Sequence, residues 1–344
     1  MKIIKYLFFL IIIGLIGLFV YAATKDGSFQ IAESKVINAP AEVIFEHVSD
    51  FKKWETWGPW MKKDPNMQLS YAENTVGAGG SYSWESETEG NGSMTTIKVI
   101  PNQEIAQEIT FNSPIGDSQS NVYWTFEEQD QGGTKVSWGM NGEQSLLEKV
   151  YFLFQDETLE QAVSPMYQEG LENLSKIALN EVSQYNVNVE GVVEFDGGYY
   201  MYVTAEVQQE AVSQKMAEMF GMISKYMSDN NIPQSGMPLT VYKEMNSEQG
   251  TTIMSTGIPV AERVIVPWNN TVLCGKLPKG KMIKTVLTGN YTNLGEAWEK
   301  AYAHMAQNEL QPTWNSEPFE IYMNDPGVVK NPAKWVTNLY IPIK

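Results

Sequence analysis

The sequence predicts an α+β protein: an N-terminal transmembrane helix, a domain of antiparallel strands closed by one long helix, then a second domain made of a duplicated β-α-β-β unit. Three observations carry that prediction. Residues 6–23 form an uncharged apolar run. Residues 28–182 show strand-like alternation followed by one long helical stripe. Residues 186–344 run twice through the order strand, helix, strand, strand. A length of 344 residues suits about two domains at ~150 residues each. The divisions fall at 1–27, 28–182 and 186–344. Hydrophobic residues at 43% and aromatics at 12% supply enough apolar surface for packed cores, which excludes wholesale disorder.

Charge and rare residues narrow the function. The net charge is −17 and Arg263 is the sole arginine, so phosphate backbones are repelled and nucleic acid is not an expected partner. One cysteine, Cys274, excludes an intramolecular disulfide and any multi-cysteine metal site. His47 and His304 are the only histidines and stand far apart. No metal, cofactor or catalytic residue is expected.

The apolar run YLFFLIIIGLIGLFVYAA lies between Lys5 and Lys25 and covers ~27 Å as a helix, enough for a bilayer core. Lys2 and Lys5 place the N-terminus in the cytoplasm and the two domains outside it. Val20-Tyr21-Ala22 also fits a cleavage site, which would make the protein secreted.

In the first domain, Phe29 to Ile37 alternates as a half-buried strand. Pro40 and Glu42 open a short helix over 43–48. An aromatic loop with Trp54, Trp57 and Trp60 follows. Strands from 69 to 141 are separated by turns at 79–80, 89–92, 101–102 and 131–133. A helix over 158–183 closes the domain, with Ala162, Met166, Leu171, Leu174 and Ala178 as its apolar stripe. Asp50 reads as a turn or cap residue and His47 as structural, without a local acid–base partner.

The run Val36-Ile37-Asn38-Ala39-Pro40-Ala41-Glu42-Val43-Ile44-Phe45, with Asp50, Trp54 and Trp57 after it, resembles the opening of polyketide cyclase, START and birch-pollen-allergen-like (SRPBCC) domains. The resemblance implies a helix-grip fold around an apolar cavity. Trp54, Trp57 and Trp60 either line its mouth or pack the short helices onto the sheet.

In the second domain the landmarks Asn231/Asn308, Tyr242/Tyr322 and Pro259/Pro342 mark the two copies, which implies a pseudo-twofold axis and a groove. Gly289-Asn290-Tyr291, Ala297-Trp298, Phe319-Glu320-Ile321-Tyr322 and the closing Trp335 to Pro342 run resemble the effector-binding domain of gyrase-inhibitor-like proteins and AraC-type regulators. The resemblance implies a groove for lipophilic, often cationic molecules, with aromatic walls and a buried acid. Where that family commonly carries an acid before its last strand, this chain has Asn338, leaving Glu320 as the motif-matched carboxylate.

Glu320 and Tyr322 share one strand face and Phe319 and Ile321 the other. If the latter pair packs under the helices, the former faces the groove. The candidate ligand-binding set is Glu320, Tyr322, Tyr291, Trp298, Trp335, Tyr200 and Tyr202. The function expected is a membrane-anchored protein that binds hydrophobic small molecules or lipids in two cavities. The alternative is a hydrolase- or cyclase-like enzyme, disfavoured because no nucleophile–base pair is visible.

Overall fold

The computed structural model describes residues 2–112, 116–130, 132–246, 249–313 and 316–344. The chain divides into two compact units, Met1–Glu181 and Val182–Lys344. Helix α1 (Lys2–Ala23) is apolar on every side and almost wholly exposed. Its Ile3–Ala23 stretch of 21 residues is long enough to cross a membrane, a property that signal sequences share.

The first unit holds one antiparallel sheet. Strand β1 (Ser28–Ile37) pairs along its whole length with β7 (Thr134–Glu143). Strands β2 (Gln68–Tyr71), β3 (Ser81–Glu85), β4 (Asn91–Ile100), β5 (Glu104–Asn112) and β6 (Ser118–Glu128) complete the order β1-β7-β6-β5-β4-β3-β2. Between β1 and β2 come α2 (Ala41–Ser49), a 3-10 turn over Phe51–Thr56 and α3 (Trp60–Lys63). Asp50 caps that turn, accepting from the Lys52 amide and the Thr75 hydroxyl. The expected turns fall between strands, except that Asn91 and Gly92 already belong to β4 and Gln131 lies outside the described residues. His47 is not partnerless: its Nε2 lies 2.9 Å from Glu181 Oε2, a residue too distant in sequence for spacing to find.

After α4 (Leu146–Phe152), helix α5 (Leu159–Val182) is fastened to the sheet by aromatic stacking. The Tyr167 ring lies 3.9 Å from that of Trp138, which in turn stacks at 4.4 Å on Trp124. The buried side of α5 is Tyr167, Gly170, Leu171, Leu174, Ser175 and Ala178. The expected stripe is therefore right in its second half only: Ala162 is exposed and Met166 half-buried, because Tyr167 takes the place on the sheet.

Gly170 lets the helix approach. A Cβ there would stand 2.6 Å from Trp138 Cζ3. In an open helix Gly→Ala stabilises by about 1 kcal/mol. Here Gly170→Ala is expected to destabilise by about 1–3 kcal/mol through overpacking, read from the urea midpoint of this unit's transition.

The second unit is an eight-stranded antiparallel sheet carrying two helices. Its elements are β8 (Asn186–Phe195), β9 (Gly198–Gln208), α6 (Val212–Asp229), β10 (Leu239–Asn246), β11 (Thr251–Val260), β12 (Leu273–Leu277), β13 (Gly280–Thr288), α7 (Leu294–Gln307), β14 (Phe319–Tyr322) and β15 (Val336–Pro342). The strand order β12-β9-β11-β10-β14-β15-β13-β8 reads the same from both ends once β9, β10 and β11 are matched with β13, β14 and β15. The pseudo-twofold axis passes between β10 and β14, where Thr240 and Glu320 are Cα partners.

Two details differ from the sequence expectation. Each repeat has a further leading strand, β8 or β12, and each is exchanged: β8 pairs with β13 and β12 with β9. The second concerns the helix ends, where the matching asparagines are Asn230 and Asn308 rather than Asn231 and Asn308. Each donates its side-chain amide to the carbonyl four residues back, of Tyr226 and of His304. Asn231 and Glu309 follow as the matched left-handed residues, both at φ 55°.

Candidate functional site

Sheet pairing fixes which side chains share a face of the second unit. Met201, Val203, Met254 and Ile258 pack under α6, and Ile283, Leu287, Leu339 and Ile341 gather with residues of α7. Glu320 pairs with Leu339 and Thr240, so Glu320, Tyr322 and Tyr242 lie on the helix-covered face. The opposite face carries Tyr200, Leu239, Val241, Phe319 and Tyr340, with Tyr202 and Ile321 beside them.

Phe319 and Ile321 therefore do not pack under the helices. Glu320 and Tyr322 do, Tyr322 against Phe220 of α6 and Glu320 against Trp298 of α7. Tyr200 and Tyr202 pack against each other, tilted by 37° with centroids 5.3 Å apart, on the far side of the sheet and are not part of this site. Asn338 pairs with Ile321 and so also points away from Glu320.

Glu320 is 1% exposed and its carboxylate is held by three donors. The hydroxyls of Tyr242 and Tyr322 each donate to Oε2 at 2.8 Å. The indole N–H of Trp298 donates to Oε1 at 2.8 Å. Burial pushes the Glu320 carboxyl above its usual 4.5, although the three hydrogen bonds pull against it. Burial first, and the neighbouring carboxylate second, push the Tyr242 and Tyr322 phenols far above their usual range. Both stay protonated and act as donors.

Around this core stand half-buried rings. Tyr291 packs against Trp335 at 4.7 Å and Tyr322 at 5.7 Å, and burial pushes its phenol up to about 12. Trp335 is held by its indole donating to the Val329 carbonyl at 2.7 Å. The structure thus gathers Glu320, Tyr322, Tyr291, Trp298 and Trp335 from the expected set. It adds Tyr242 and Phe220, which the expected set omits. The repeat itself contains the signal for both: Tyr242 is the twin of Tyr322, and Phe220 is the twin of Trp298 once Asn230 and Asn308 are aligned.

The twins meet crosswise. Tyr242 touches Trp298 edge-on at 5.9 Å and 86°, and Tyr322 touches Phe220 edge-on at 6.3 Å and 86°. Only the chemistry breaks the symmetry. Glu320 faces Thr240, and Trp298 brings an N–H that Phe220 lacks.

The first unit's aromatics are arranged differently. Trp54 and Trp57 are 2% and 1% exposed, and their indoles donate to the carbonyls of Val48 and His47. Both lie edge-on to Trp124 and Trp138 within about 6.2 Å. Trp60 is half-buried, 6.0 Å from Trp138. Trp54 and Trp57 fill the space beneath the sheet rather than framing an entrance to it. An open hollow of about 300 Å³ lies between residues 55–62 and α5, and of the three tryptophans only Trp57 borders it.

Comparison with known proteins agrees with this division. Residues 28–178 match the family described as polyketide cyclase/dehydrase and lipid transport, and residues 192–344 match the GyrI-like small molecule binding domain. The chain thus carries an N-terminal SRPBCC domain and a C-terminal GyrI-like domain. A search of the curated proteins gives no significant match.

Among solved structures, the C-terminal domain of EcmrR is 14% identical, covering 46% of this chain and 98% of its own at a TM-score of 0.39. The Aha1 dimer from Colwellia psychrerythraea is 14% identical, covering 44% and 96% at 0.33. The protein CV1439 from Chromobacterium violaceum is 15% identical, covering 43% and 96% at 0.33.

Proposed function

We propose that this chain, an SRPBCC domain followed by a GyrI-like domain, is a membrane-anchored receptor for lipophilic cationic small molecules, with its recognition site at Glu320. The observation that carries the reading is one buried carboxylate on the pseudo-twofold axis, ringed by Tyr242, Tyr322, Trp298, Tyr291 and Trp335. Aromatic faces attract a cation through their quadrupoles, and a carboxylate screened from water attracts it more strongly than one in solvent. The neutral phenols and the indole bonded to Glu320 are suited to recognition. Both phenols are paired with the carboxylate but are held protonated far above their usual range, so neither is a ready nucleophile, which disfavours the enzymatic alternative.

For the rest of the chain, helix α1 serves as a single span with Lys5 on its cytoplasmic side, and both domains work outside the cytoplasm. Both domain families imply a small hydrophobic ligand. In the first domain the hollow beside Trp57 is the place for one, because the interior is occupied by the tryptophans.

The test is a calorimetric titration of the full chain with an aryl trimethylammonium compound and its tert-butyl isostere, which differ only in charge. A charge-assisted contact in a partly dry site contributes about 1.5–3 kcal/mol. The cation is therefore expected to bind about ten- to a hundredfold tighter. Equal affinities would leave the recognition reading without support.

A further inference from the structure

Most of the exposed apolar side chains in the first unit outside α1 are scattered singly. Around α4 they are not. Leu146, Tyr151, Leu153 and Phe154 all stand open within nine residues, Phe154 at 71% exposed. The segment is well formed and not a frayed loop. Ser145 and Glu148 make a reciprocal capping box, with the Ser145 amide donating to Glu148 Oε2 at 2.6 Å and the Glu148 amide to Ser145 Oγ at 3.3 Å.

Its position is also fixed. Helix α4 packs beside α1, and the Gln144 amide donates to the Gly27 carbonyl at 2.8 Å, just past the end of that helix. Ala22, in the last turn of α1, is fully buried although most of the helix is open. The Lys149 side chain reaches Gly27. The same end of α1 carries Tyr21 with Lys25 4.6 Å over its ring, the residue types that sit at a membrane–water boundary.

We propose that α4 and the two residues after it form a foot that rests in the headgroup layer of the bilayer crossed by α1, with Leu146, Tyr151, Leu153 and Phe154 dipping into it. This rests on the reading of α1 as an uncleaved span. A span fixes the depth of its own end, and α4 is held at that end. Apolar side chains at that level are covered by lipid and not by water. A chain with net charge −17 gains nothing from an anionic surface, so burial and not charge holds the foot down, and zwitterionic lipid suffices. Two points of attachment, a span and a foot beside it, restrict the tilt of the first domain where a span alone would leave it free to swing.

The experiment uses the full chain with Cys274→Ser and one added cysteine, Phe154→Cys, labelled with a polarity-sensitive fluorophore. A control carries the label at Glu87→Cys, in the exposed β3–β4 turn, four to five strand spacings from β1 and so about 19–24 Å across the sheet. Both are reconstituted in phosphatidylcholine vesicles containing lipid spin-labelled near the headgroup. The label at 154 is expected to shift to the blue and to be quenched severalfold more than the label at 87, equally at low and high salt. Vesicles that carry the chain on flotation but leave the two labels equally unquenched would overturn the foot while keeping the anchor. A chain that does not float with the vesicles would overturn the anchor, and the foot with it.

Discussion

Glu320→Gln is expected to abolish the proposed preference for a lipophilic cation, a loss of about ten- to a hundredfold in affinity for the charged ligand, and to leave the neutral isostere within about twofold. The substitution keeps the volume and removes the charge; because the amide offers one acceptor oxygen in place of two, the neutral isostere serves as the control for the rearranged hydrogen bonds. Glu320→Ala is a different experiment. It leaves the Tyr242 and Tyr322 hydroxyls and the Trp298 N–H without their acceptor. Tyr322 is the most buried of the three, and an orphaned buried donor costs about 1–3 kcal/mol, so this variant melts earlier.

The same residue sets a pH dependence. Burial raises the folded-state pKa of Glu320 above 4.5, whereas the unfolded chain titrates near that value. Between the two, the native state holds a proton that the unfolded state releases. The Glu320 contribution to stability is therefore greatest at low pH and falls as pH rises through the folded value. Affinity for a permanent cation moves the other way over that window, because it needs the carboxylate. Titrations and melts at a series of pH values, with wild type compared against Glu320→Gln, isolate both slopes. A difference curve flat in pH would show that Glu320 is not the titrating group.

Trp138→Ala is expected to destabilise the first domain by about 3–5 kcal/mol, enough to abolish most of the folding stability of an ordinary domain. Trp138 is 1% exposed and lies between Trp124 and Tyr167 in a continuous stack, with Trp54, Trp57 and Trp60 around its edge. Removing it leaves a cavity bordered by these five rings and detaches α5 from the sheet at its main hold. Trp138→Phe should cost markedly less. The Trp138 indole N–H is buried without a partner among the described residues, and phenylalanine removes that unsatisfied donor along with part of the ring. Urea unfolding with near-UV circular dichroism, which reports the tryptophan stack, distinguishes the two variants. Equal losses would mean that the N–H has a partner.

Much of the second domain was legible in its sequence because duplication writes the same pattern twice. Tyr242 and Tyr322 mark it directly. The leading strands β8 and β12 were not legible, because each pairs with the other repeat and gains its partner only in the assembled sheet. The off-by-one at the helix ends has a similar cause. Glu309 adopts a left-handed conformation for which nothing in glutamate argues, so Asn231 lines up by residue type with Asn308 although its structural twin is Glu309.

Alternation correctly paired Glu320 with Tyr322 but could not say which face the helices cover. Both faces of β9 and β10 are apolar, so the sequence pattern offers Tyr200 and Tyr202 on the far face as readily as residues on the helix-covered face. In the first domain the density of tryptophan was visible, but its destination was not. Indoles that fill a core and indoles that frame an entrance have the same sequence pattern.

The axis between β10 and β14 has a consequence for how such a site can arise. In a dimer of two identical half-domains, whatever lies on the axis must face its own copy. Cα partners in an antiparallel ladder stand about 4.5–5.5 Å apart. A glutamate there would confront another glutamate, and two carboxylates that close cannot both ionise readily. The dimer would hold a shared proton where the cation needs an anion. Joining the halves into one polypeptide lifts that obligation. One copy keeps threonine at 240 while the other carries glutamate at 320, and a single charge can sit where symmetry would have demanded two.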